Sequence, residues 1–512
     1  MNVVELIIFV AYLAAMLGIG IFFFLKSKTG GGDKEYFLGG RQMGPWVTAM
    51  SAQASDMSAW LLMGLPGSII AFGMGQVWIA IGLALGTAAN WIFIARRLRK
   101  FSQAAGDSIT VPQYLTNRFA STNPALKVIC AIVFLIAFTV YVSSAFVAGR
   151  DVLKTLIPDL DSTVAIIIFA VIILLYTFLG GYKAVCWTDF FQGLLMLVAL
   201  LSVPIIMVTC GDFGGKELLG ELNGAAGTSF ESNIFSASWT DIASGLGWGL
   251  GYFGMPHVIV RFMAIEKPSM VKKSSTVAII WLVLSLGSAV ALAILGRTWL
   301  LSDGTSLAQA IVPEQRTQVF IRIVEDVFPS AVAGILLAAI IAASMSTADS
   351  QLLVASSSFT SDIYKPLRKG KASDKEVLWV GRIVVAVVAV VAFFIATSGS
   401  EWAGDIMNMV ENAWGLFGSA FGPVVILSLF WKRFNFPGAL AGIVVGAVAD
   451  IAWLLCFTST ISEALVFNTN LYEIIPGFVC GLLAAVIVTL ITKAPGEEVE
   501  KIFAEATAKD ED

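Results

Sequence analysis

Two clusters of polar side chains interrupt long apolar stretches of this chain of 512 residues. The first cluster contains Gln53, Asp56 and Ser58, and the second contains the adjacent hydroxyls of Ser346 and Thr347. Carboxylate, hydroxyl and backbone carbonyl oxygens are the ligands that hard cations prefer. The two clusters therefore predict a site for a small cation such as Na⁺, formed where the two segments face each other. The alternative for the hydroxyls is a bond to the carbonyl one helical turn earlier.

The segments that carry or oppose these clusters are broken by helix-breaking residues. Pro66 and Gly67 follow the first cluster, and a second segment reads GLGWGLGYFGMP from Gly245 to Pro256. Such glycines are also typical of close helix packing in membranes. Two interrupted spans in corresponding positions of two halves, however, indicate a transport site near the midplane. We therefore expect a five-plus-five arrangement of spans 2–6 and 7–11, with the site between the first helix of each half.

The composition identifies the elements that position these residues as membrane-spanning helices. The chain is 57% hydrophobic and only 13% charged, with a mean hydropathy of +0.84, whereas soluble domains carry about 25% charged residues. At about 20 residues per span, the pattern predicts about thirteen apolar spans, centred near residues 15, 57, 84, 137, 170, 199, 249, 286, 338, 387, 417, 446 and 482. A water-soluble globular protein is excluded, and the predicted fold class is an all-α integral membrane protein.

The distribution of basic residues predicts the orientation of the spans. Most of the 32 Lys and Arg residues fall in the loops that follow odd-numbered spans, and cytoplasmic loops retain basic residues. The N-terminus is therefore expected outside and the C-terminus in the cytoplasm. Residues 1–495 are expected to form a single transmembrane domain, and residues 496–512 an acidic cytoplasmic tail that is a solvated helix or disordered. The polar stretches near 211–240 and 301–328 are expected to be outer loops.

Several kinds of chemistry are excluded by the residue types. None of the five cysteines forms a CxxC pair, which argues against a disulfide framework or a zinc site. His257 is the single histidine, and a structural role is expected for it, with a proton relay as the alternative. The chain has no phosphate-binding loop of the type GxxxxGK[ST] and no nucleophile motif for an enzyme. The net charge of −4 is near balance and by itself says nothing about nucleic acid, and no nucleic-acid partner is expected.

Carboxylates inside the predicted spans are functional candidates, because an unpartnered charge in the bilayer is costly. Asp56 is the deepest of them. The others are Asp189, Asp349, Asp362, Glu411 and Asp450. The alternative for each is a structural ion pair or an interfacial charge, and this alternative is favoured for Asp362.

Several motifs resemble the solute:sodium symporter family over about residues 1–490. They are Tyr36-Phe-Leu-Gly-Gly-Arg41, Ala54-Ser-Asp-Met-Ser58, Gly180-Gly-Tyr182, Thr188-Asp-Phe-Phe-Gln192, Met345-Ser-Thr347 and Ser350-Gln351-Leu352. The segment that ends at Pro256 is most similar to the bacterial sodium/proline symporters of that family and separates them from the sugar and pantothenate carriers. The resemblance implies a LeuT-type inverted-repeat core with extra helices at each end.

The same resemblance implies roles for individual residues. It implies an Na⁺ site made by the carbonyls of Ala54, Met57 and Ala343 and the hydroxyls of Ser346 and Thr347. It implies that Asp189 helps a second Na⁺ to bind, beside hydroxyls of span 9. The other implied residues are Asp56 near ion and substrate, Ser58, Trp248, Tyr252, Pro256 and Tyr141 at the substrate pocket, and Arg41 as functionally important. Tyr141 has a membrane-interface role as its alternative. Asp349 departs from the family pattern, and no role is expected for it.

Together with this resemblance, the sequence predicts secondary active uptake of L-proline driven by inward Na⁺ movement, with no enzymatic activity and no organic cofactor. The expected partners are L-proline, Na⁺ and membrane lipid, with no obligate protein partner, and the expected location is the bacterial inner membrane. Two alternatives stay open. A proton-coupled carrier would use Asp56 and Asp189 as relays, and a Na⁺-coupled carrier of another solute would differ only in its pocket.

Overall fold

The computed structural model describes residues 3–27, 33–179, 181–210, 233–302, 312–369, 371–461 and 463–508. Within these ranges the chain is mainly helical, and a β-type bridge joins Met43 to Ile265. The predicted all-helical fold class is confirmed for this part of the chain. Much of the predicted outer loops, at 211–232 and 303–311, lies outside the described residues.

The helices are numbered in chain order. The first half of the chain contains α1 (Val3–Ser27), α2 (Asp33–Leu38), α3 (Pro45–Asp56), α4 (Gly64–Phe72), α5 (Val77–Ala89), α6 (Arg96–Ala104), α7 (Val111–Arg118), α8 (Ala125–Leu156), α9 (Ser162–Leu179), α10 (Tyr182–Cys210), α11 (Trp239–Gly247) and α12 (Pro256–Ala264). The second half contains α13 (Val271–Ser302), α14 (Pro313–Thr317), α15 (Val319–Val327), α16 (Ser330–Ser357), α17 (Lys365–Leu367), α18 (Asp374–Ala396), α19 (Glu401–Gly404), α20 (Ile406–Phe430), α21 (Phe436–Phe457), α22 (Ile474–Ile491) and α23 (Glu497–Thr507).

Ten helical segments of the described chain are long and apolar enough to cross a membrane. The three remaining predicted spans, centred near residues 57, 170 and 249, correspond to shorter or interrupted helices: α3 with α4, α9, and α11 with α12. The first and the last of these three spans are interrupted, and each consists of two short helices. None of these short helices alone has the roughly 20 continuous residues that a span needs. The structure therefore gives a smaller count of uninterrupted spans than the hydropathy pattern, and both predicted interruptions are present.

The first interruption begins where α3 ends at Asp56. Met57 leaves the helical region with φ −87° and ψ 77°. The Ser58 hydroxyl then accepts a hydrogen bond from the Trp60 N–H and caps a short 3₁₀ turn over Ala59–Leu61. Because the chain leaves the α-helical path here, backbone groups become available to a site instead of to the next helical turn.

The second interruption lies between α11 and α12. A 3₁₀ segment, Trp248–Phe253, follows α11, and Met255 is extended before Pro256 starts α12. The glycines also allow close packing, as the alternative reading proposed. A Cβ on Gly86 of α5 would lie 2.3 Å from the carbonyl oxygen of Gly249. The glycines of this segment therefore serve both the interruption and its packing against α5.

Helix α16 lies at the centre of the helix bundle. Every residue from Leu336 to Ser357 is buried, and the helix packs against α1, α3, α8 and α10. Its hydroxyl and carboxyl groups therefore face protein, where membrane proteins place polar groups that lipid would not satisfy.

The tail forms a helix, α23, with one packed face and one exposed face. In α23, Val499 and Ala506 are buried, and the Phe503 ring meets the Phe101 ring of α6 at 5.4 Å between centroids. The other face carries the acidic residues, and Glu500 lies 3.0 Å from Lys432. The apolar stripe explains the docking, because a helix buries the face on which its apolar residues recur.

Candidate functional site

The end of α3 meets the middle of α16 through one hydroxyl. Ser346 Oγ lies 2.8 Å from the Ala54 carbonyl oxygen and 3.1 Å from the Ala343 carbonyl oxygen, and it donates to these acceptors. The neighbouring Thr347 Oγ1 is buried without a hydrogen-bond partner. Ala54, Met57 and Ala343 are fully buried. The structure thus brings together oxygens from both predicted polar clusters, at the place where the first helix is interrupted.

Asp56 links the two interrupted segments. Tyr252 donates a hydrogen bond of 2.6 Å to Asp56 Oδ2, while Asp56 Oδ1 is buried without a partner. Tyr141 of α8 donates to the backbone carbonyl of Asp56 at 3.3 Å. Asn90 in turn donates to the Tyr252 carbonyl at 2.9 Å and holds the 3₁₀ segment in place. Tyr141 is therefore part of the buried site and not of a membrane-interface belt.

Aromatic rings surround Trp248 in the second interruption. The centroid of its ring lies 6.0 Å from that of Trp60, 6.3 Å from Trp414 and 5.4 Å from Tyr472. Trp414 also donates to the Trp248 carbonyl at 2.8 Å, and its ring meets Tyr252 edge-on at 5.0 Å. The predicted residues Trp248 and Tyr252 thus lie in one aromatic cluster with three rings that sequence reasoning missed.

The missed rings differ in how they could have been found. Trp60 lies only three residues beyond Met57, so the first interruption itself pointed to it. Trp414 and Tyr472 belong to α20 and to the segment before α22, far from both interruptions in the chain. Nothing in their local sequence indicates the contact, because Trp414 lies within a predicted membrane helix and Tyr472 in the polar segment 468–473 that precedes one.

Ser58 and Pro256 lie at equivalent points of the two interruptions. The Ser58 hydroxyl is occupied in capping, 3.5 Å from the Trp60 nitrogen, and Pro256 is the first residue of α12. Both residues are buried. Their first role in the structure is to end or begin a helix, which shapes the surrounding backbone.

A cavity of about 940 Å³ reaches Trp248 and Tyr472. It is lined by the five carboxylate side chains of Asp241, Glu401, Asp405, Glu411 and Glu473. Arg316 also lines it and is paired with Asp405 at 2.8 Å. We call this space the acidic cavity. Since like charges along a cleft focus the electric field, it favours cations next to the aromatic cluster.

Asp189 of α10 lies in a separate buried network, which reaches α16 at Ser350, one helical turn beyond Ser346. Its Oδ2 accepts from Ser51 at 2.6 Å and is 3.1 Å from Arg261 Nη2. The same Arg261 nitrogen donates to Ser350, and Arg261 Nε donates to Ser51 at 3.2 Å. Sequence reasoning missed Arg261, which sits in an ordinary apolar stretch of α12. The structure therefore separates Asp189 from Asp56, although both were expected to serve ion coupling.

Arg41 does not reach either cluster. Its guanidinium lies 2.7 Å from an Asp107 carboxylate oxygen and donates to the Ser108 carbonyl at 2.8 Å and to the Met263 carbonyl. Burial lowers the pKa of this guanidinium, and the charge of Asp107 opposes that shift. Arg41 thus ties the segment before α3 to the ends of α6 and α12.

The other intramembrane groups have mostly structural partners. Asp362 accepts from Thr110 at 2.7 Å and Asp450 accepts from Ser419 at 2.8 Å. His257 packs edge-on against Phe138 at 5.7 Å. In the described part of the chain no group of three or more His, Cys, Asp or Glu residues is placed to hold a metal ion.

Comparison with known proteins identifies the family of this chain. The model of the sodium:solute symporter family matches residues 36–446. The chain belongs to the sodium:solute symporter family. It is 41% identical over 494 residues to sodium/proline symporter 2 of Staphylococcus saprophyticus, covering 96% of this chain and 93% of that one. It is 43% identical over 490 residues to the high-affinity proline transporter PutP of Bacillus subtilis, covering 95% and 98%.

The family membership agrees with the three-dimensional fold. The structure is similar to that of a Na⁺-coupled sialic acid symporter in a substrate-bound outward-open state, with a TM-score of 0.77. The two chains share 22% identity, and the match covers 96% of this chain and 99% of the other. At this identity the similarity establishes the transporter fold alone. The chain is thus a multi-pass membrane member of a family of transporters.

Proposed function

We propose that this protein is a Na⁺-coupled symporter that takes up L-proline across the bacterial inner membrane by alternating access. The observation that carries the proposal is the family membership with relatives named as proline carriers, at 41% and 43% identity over nearly the whole chain. The buried oxygens at the two interrupted helices supply the chemistry that this activity requires.

The Na⁺ site is proposed where α3 meets α16. The carbonyls of Ala54, Met57 and Ala343 and the hydroxyls of Ser346 and Thr347 would provide five uncharged oxygens. The contact of Ser346 with two of those carbonyls supports this proposal. A bound Na⁺ would hold α3 against α16 and favour the conformation in which both contribute ligands.

The proline pocket is proposed between the two interruptions, lined by Ser58, Trp248, Tyr252, Pro256 and Tyr141. Proline is a small zwitterion with an apolar ring. Its ring would pack on Trp248 and Tyr252, and its carboxylate would meet backbone N–H groups freed at the interruptions, since helix N-termini favour anions. The unpartnered oxygen of Asp56 lies at the junction of ion and substrate sites.

The proposed topology has thirteen spans, with the N-terminus outside and the C-terminus in the cytoplasm. It places the acidic cavity on the outer side, because the cavity is lined by the end of α4 and the start of α11 and α20. It places the Arg41 network on the cytoplasmic side. With the cavity open on the outer side and the Arg41 contacts on the inner side, the proposed state is outward-facing.

The Na⁺ gradient supplies sufficient free energy for concentrative uptake. A tenfold gradient gives about 1.4 kcal/mol, and a potential of 100 mV adds about 2.3 kcal/mol per charge. At one Na⁺ per proline, the sum of about 3.7 kcal/mol sustains roughly 500-fold accumulation. Na⁺ and proline must raise each other's affinity by the same factor, because binding linkage is reciprocal.

The decisive experiment is uptake of radiolabelled L-proline into proteoliposomes under an inward Na⁺ gradient, compared with choline at equal pH. We expect concentrative uptake with Na⁺ that Asp56→Asn reduces by at least about tenfold, since hydrogen bonds to charged groups contribute about 1.5–3 kcal/mol. Asp362→Asn is the matched control, because it keeps an acceptor for Thr110 away from the site, and it should transport normally.

Two results would contradict the proposal. Uptake in choline driven by an inward pH gradient would establish proton coupling through Asp56 or Asp189. Failure of proline under every gradient, with Na⁺-driven uptake of another small solute, would leave the ion site and replace the substrate.

A further inference from the structure

Two arginines join the inner ends of helices that belong to different halves of the core. In the proposed topology, α6 forms the inner end of span 3 in the first half, and α20 forms span 11 in the second half. Arg97 of α6 donates to the Leu429 carbonyl at 2.6 Å, and Arg118 of α7 donates to the Ser428 carbonyl at 3.0 Å. We call these two contacts the inner seam. Cations stabilise the carbonyl end of a helix, so the seam holds the last turn of α20 against α6 and α7.

Helix α23 covers both guanidiniums of the inner seam with one aromatic ring. The centroid of the Phe503 ring lies 5.2 Å from the guanidinium carbon of Arg118 and 5.8 Å from that of Arg97. Arg118 is fully buried, and its Nη1 also donates to the Val499 carbonyl of α23 at 3.5 Å. A cation within about 6 Å of an aromatic ring is attracted to it, and more strongly where water is excluded. The ring therefore strengthens the seam by keeping water away from its hydrogen bonds.

Most contacts of α23 are with the first half of the core. The Phe503 ring meets the Phe101 ring of α6 edge-on at 5.4 Å, and Lys100 of α6 donates to the Ala508 carbonyl at 2.6 Å. On the other side, Glu500 forms an ion pair of 3.0 Å with Lys432, which follows α20. Both of these side chains are about half exposed, and exposed ion pairs contribute little to stability. The helix is thus fixed to α6 and reaches α20 mainly by covering the seam.

We propose that α23 is a cytoplasmic strap that keeps the inner seam closed in the outward-facing state, and that this seam opens when the substrate leaves on the inner side. The inference rests on the proposed alternating-access function. In that mechanism the two halves move against each other, so a contact that joins them on the inner side is broken in the inward-facing state. Opening separates α20 from α6 and α7 while α23 stays on α6. Phe503 is then a positioning residue for inner opening, although it lies outside the transport core.

A reversible cross-link in the full-length protein tests the strap. In a cysteine-free background, Lys432→Cys with Glu500→Cys places one thiol after α20 and one on α23. A short bifunctional methanethiosulfonate, added in detergent with Na⁺, joins the two thiols before reconstitution. Na⁺-driven proline uptake should fall by at least about tenfold, because the inward-facing state can no longer be populated. Dithiothreitol should restore uptake, and Na⁺-dependent binding of radiolabelled proline in detergent should persist in the linked protein.

The matched control links α23 to the helix on which it stays. Lys100→Cys with Ala508→Cys, joined in the same way, should keep uptake within about twofold of the unlinked protein, since α6 and α23 move together and the equilibrium between states is unchanged. Loss of uptake in both linked proteins would overturn the strap, because α23 would then have to leave α6.

Three further results would overturn it. Unchanged uptake in the linked Lys432→Cys/Glu500→Cys protein would show that α23 and α20 need not separate. Loss of proline binding in that protein would show that the link disrupts the substrate site and not the seam. Failure of its thiols to cross-link would show that the two positions are not neighbours in the Na⁺-bound state.

The reactivity of a thiol placed in the seam measures opening directly. Ser428 is fully buried at the end of α20, so N-ethylmaleimide should reach Ser428→Cys only when the seam opens. Labelling in detergent should be slow with Na⁺ alone, and added proline should speed it by at least about threefold, because the protein then reaches the inward-facing state. Phe503→Ala should give fast labelling with Na⁺ alone and little further increase with proline. Glu505→Ala, on the exposed face of α23, should leave the labelling of Ser428→Cys as it was.

A merely structural role for Phe503 predicts a different pattern of labelling. Its removal would then change the labelling rate equally with and without proline. That result, or a labelling rate of Ser428→Cys that proline does not change, would overturn the strap.

Failure of the strap and failure of the proposed function give different results. Na⁺-driven proline uptake that neither cross-link alters would overturn the strap and leave the proposed function standing. Absence of Na⁺-driven proline uptake in the wild type would overturn the proposed function itself.

Discussion

At the scale of single residues, Asp56 depends on Tyr252 more than on any charge. The tyrosine hydroxyl, 2.6 Å away, is the side-chain donor to Asp56 Oδ2, and it comes from the other interrupted helix. Asp189 has the opposite arrangement, with a buried guanidinium at 3.1 Å. The two carboxylates therefore differ in charge balance: Asp56 is available to a cation or a substrate amine, whereas Asp189 Oδ2 is already neutralised.

Removing the Tyr252 hydroxyl should weaken binding without breaking the fold. We expect Tyr252→Phe to raise the Na⁺ and proline concentrations for half-maximal uptake by about tenfold, since hydrogen bonds to charged groups contribute about 1.5–3 kcal/mol. Initial uptake rates over a matrix of Na⁺ and proline concentrations measure both constants.

Tyr114→Phe is the control for this change, because it deletes another buried tyrosine hydroxyl, which lies 2.9 Å from Ser428 Oγ. It should leave both constants within about twofold of the wild type, a difference of well under 1 kcal/mol. Equal effects of the two substitutions would mean that loss of any buried hydroxyl, and not the Asp56 contact, changes affinity.

At the scale of elements, the second interrupted helix is placed by backbone contact with α5. A Cβ on Gly249 would lie 2.4 Å from the Gly82 carbonyl oxygen, and one on Gly245 would lie 2.6 Å from Trp78 Cβ. Only glycine allows this approach, and the approach positions Trp248 and Tyr252 at the proposed proline pocket. Small residues at membrane helix contacts have this effect in general.

Adding one methyl group at this contact should therefore be costly. We expect Gly249→Ala to destabilise the protein by about 1–3 kcal/mol, the usual range for overpacking, and to lower proline uptake. Melting curves of the purified protein in detergent measure the change.

Gly287→Ala in α13 is the matched control, since its added Cβ would meet nothing within 4 Å. Its melting temperature should equal that of the wild type. A Gly249→Ala protein with wild-type stability and uptake would show that α5 and the interrupted helix can separate at no cost.

At the scale of the whole molecule, the two faces differ in their charged groups. The acidic cavity lies on one face, and the networks around Arg41 and Arg118 lie on the other, where α23 also docks. Arg118 of α7 donates to the Ser428 carbonyl at 3.0 Å and packs near the Phe503 ring of α23, with 5.2 Å from its guanidinium carbon to the ring centroid. This asymmetry matches the proposed topology, in which basic residues are retained in the cytoplasm.

Cysteine accessibility in whole cells tests that topology. In a cysteine-free background, Asn468→Cys should react with a membrane-impermeant maleimide in intact cells, and Lys371→Cys should react only after permeabilisation. Both positions are exposed in the structure, so a lack of reaction reports the membrane barrier and not burial. The reverse pattern would invert the orientation, and labelling of both in intact cells would contradict the span count between them.

The sequence by itself determined the membrane class, the two interruptions and the residues around them. Apolar runs of about 20 residues, helix-breaking glycines and prolines, and polar residues within apolar runs are all local features. Asp56, Ser58, Trp248 and Tyr252 could be named for this reason. The contact of Ser346 with Ala54 agrees with the family resemblance, which implied both residues as ligands of one Na⁺ site.

Only the tertiary structure decided which distant groups meet. Trp414 and Arg261 lie in helices, and Tyr472 in a polar segment before α22, and none of these local sequences indicates a site. Their contacts arise from segments that pack across the bundle. The structure also separated Asp189 from Asp56 and left Asp349 without a partner. Hydropathy patterns record which residues are buried, whereas the pairing of buried polar groups depends on the angle and register of helices far apart in the chain.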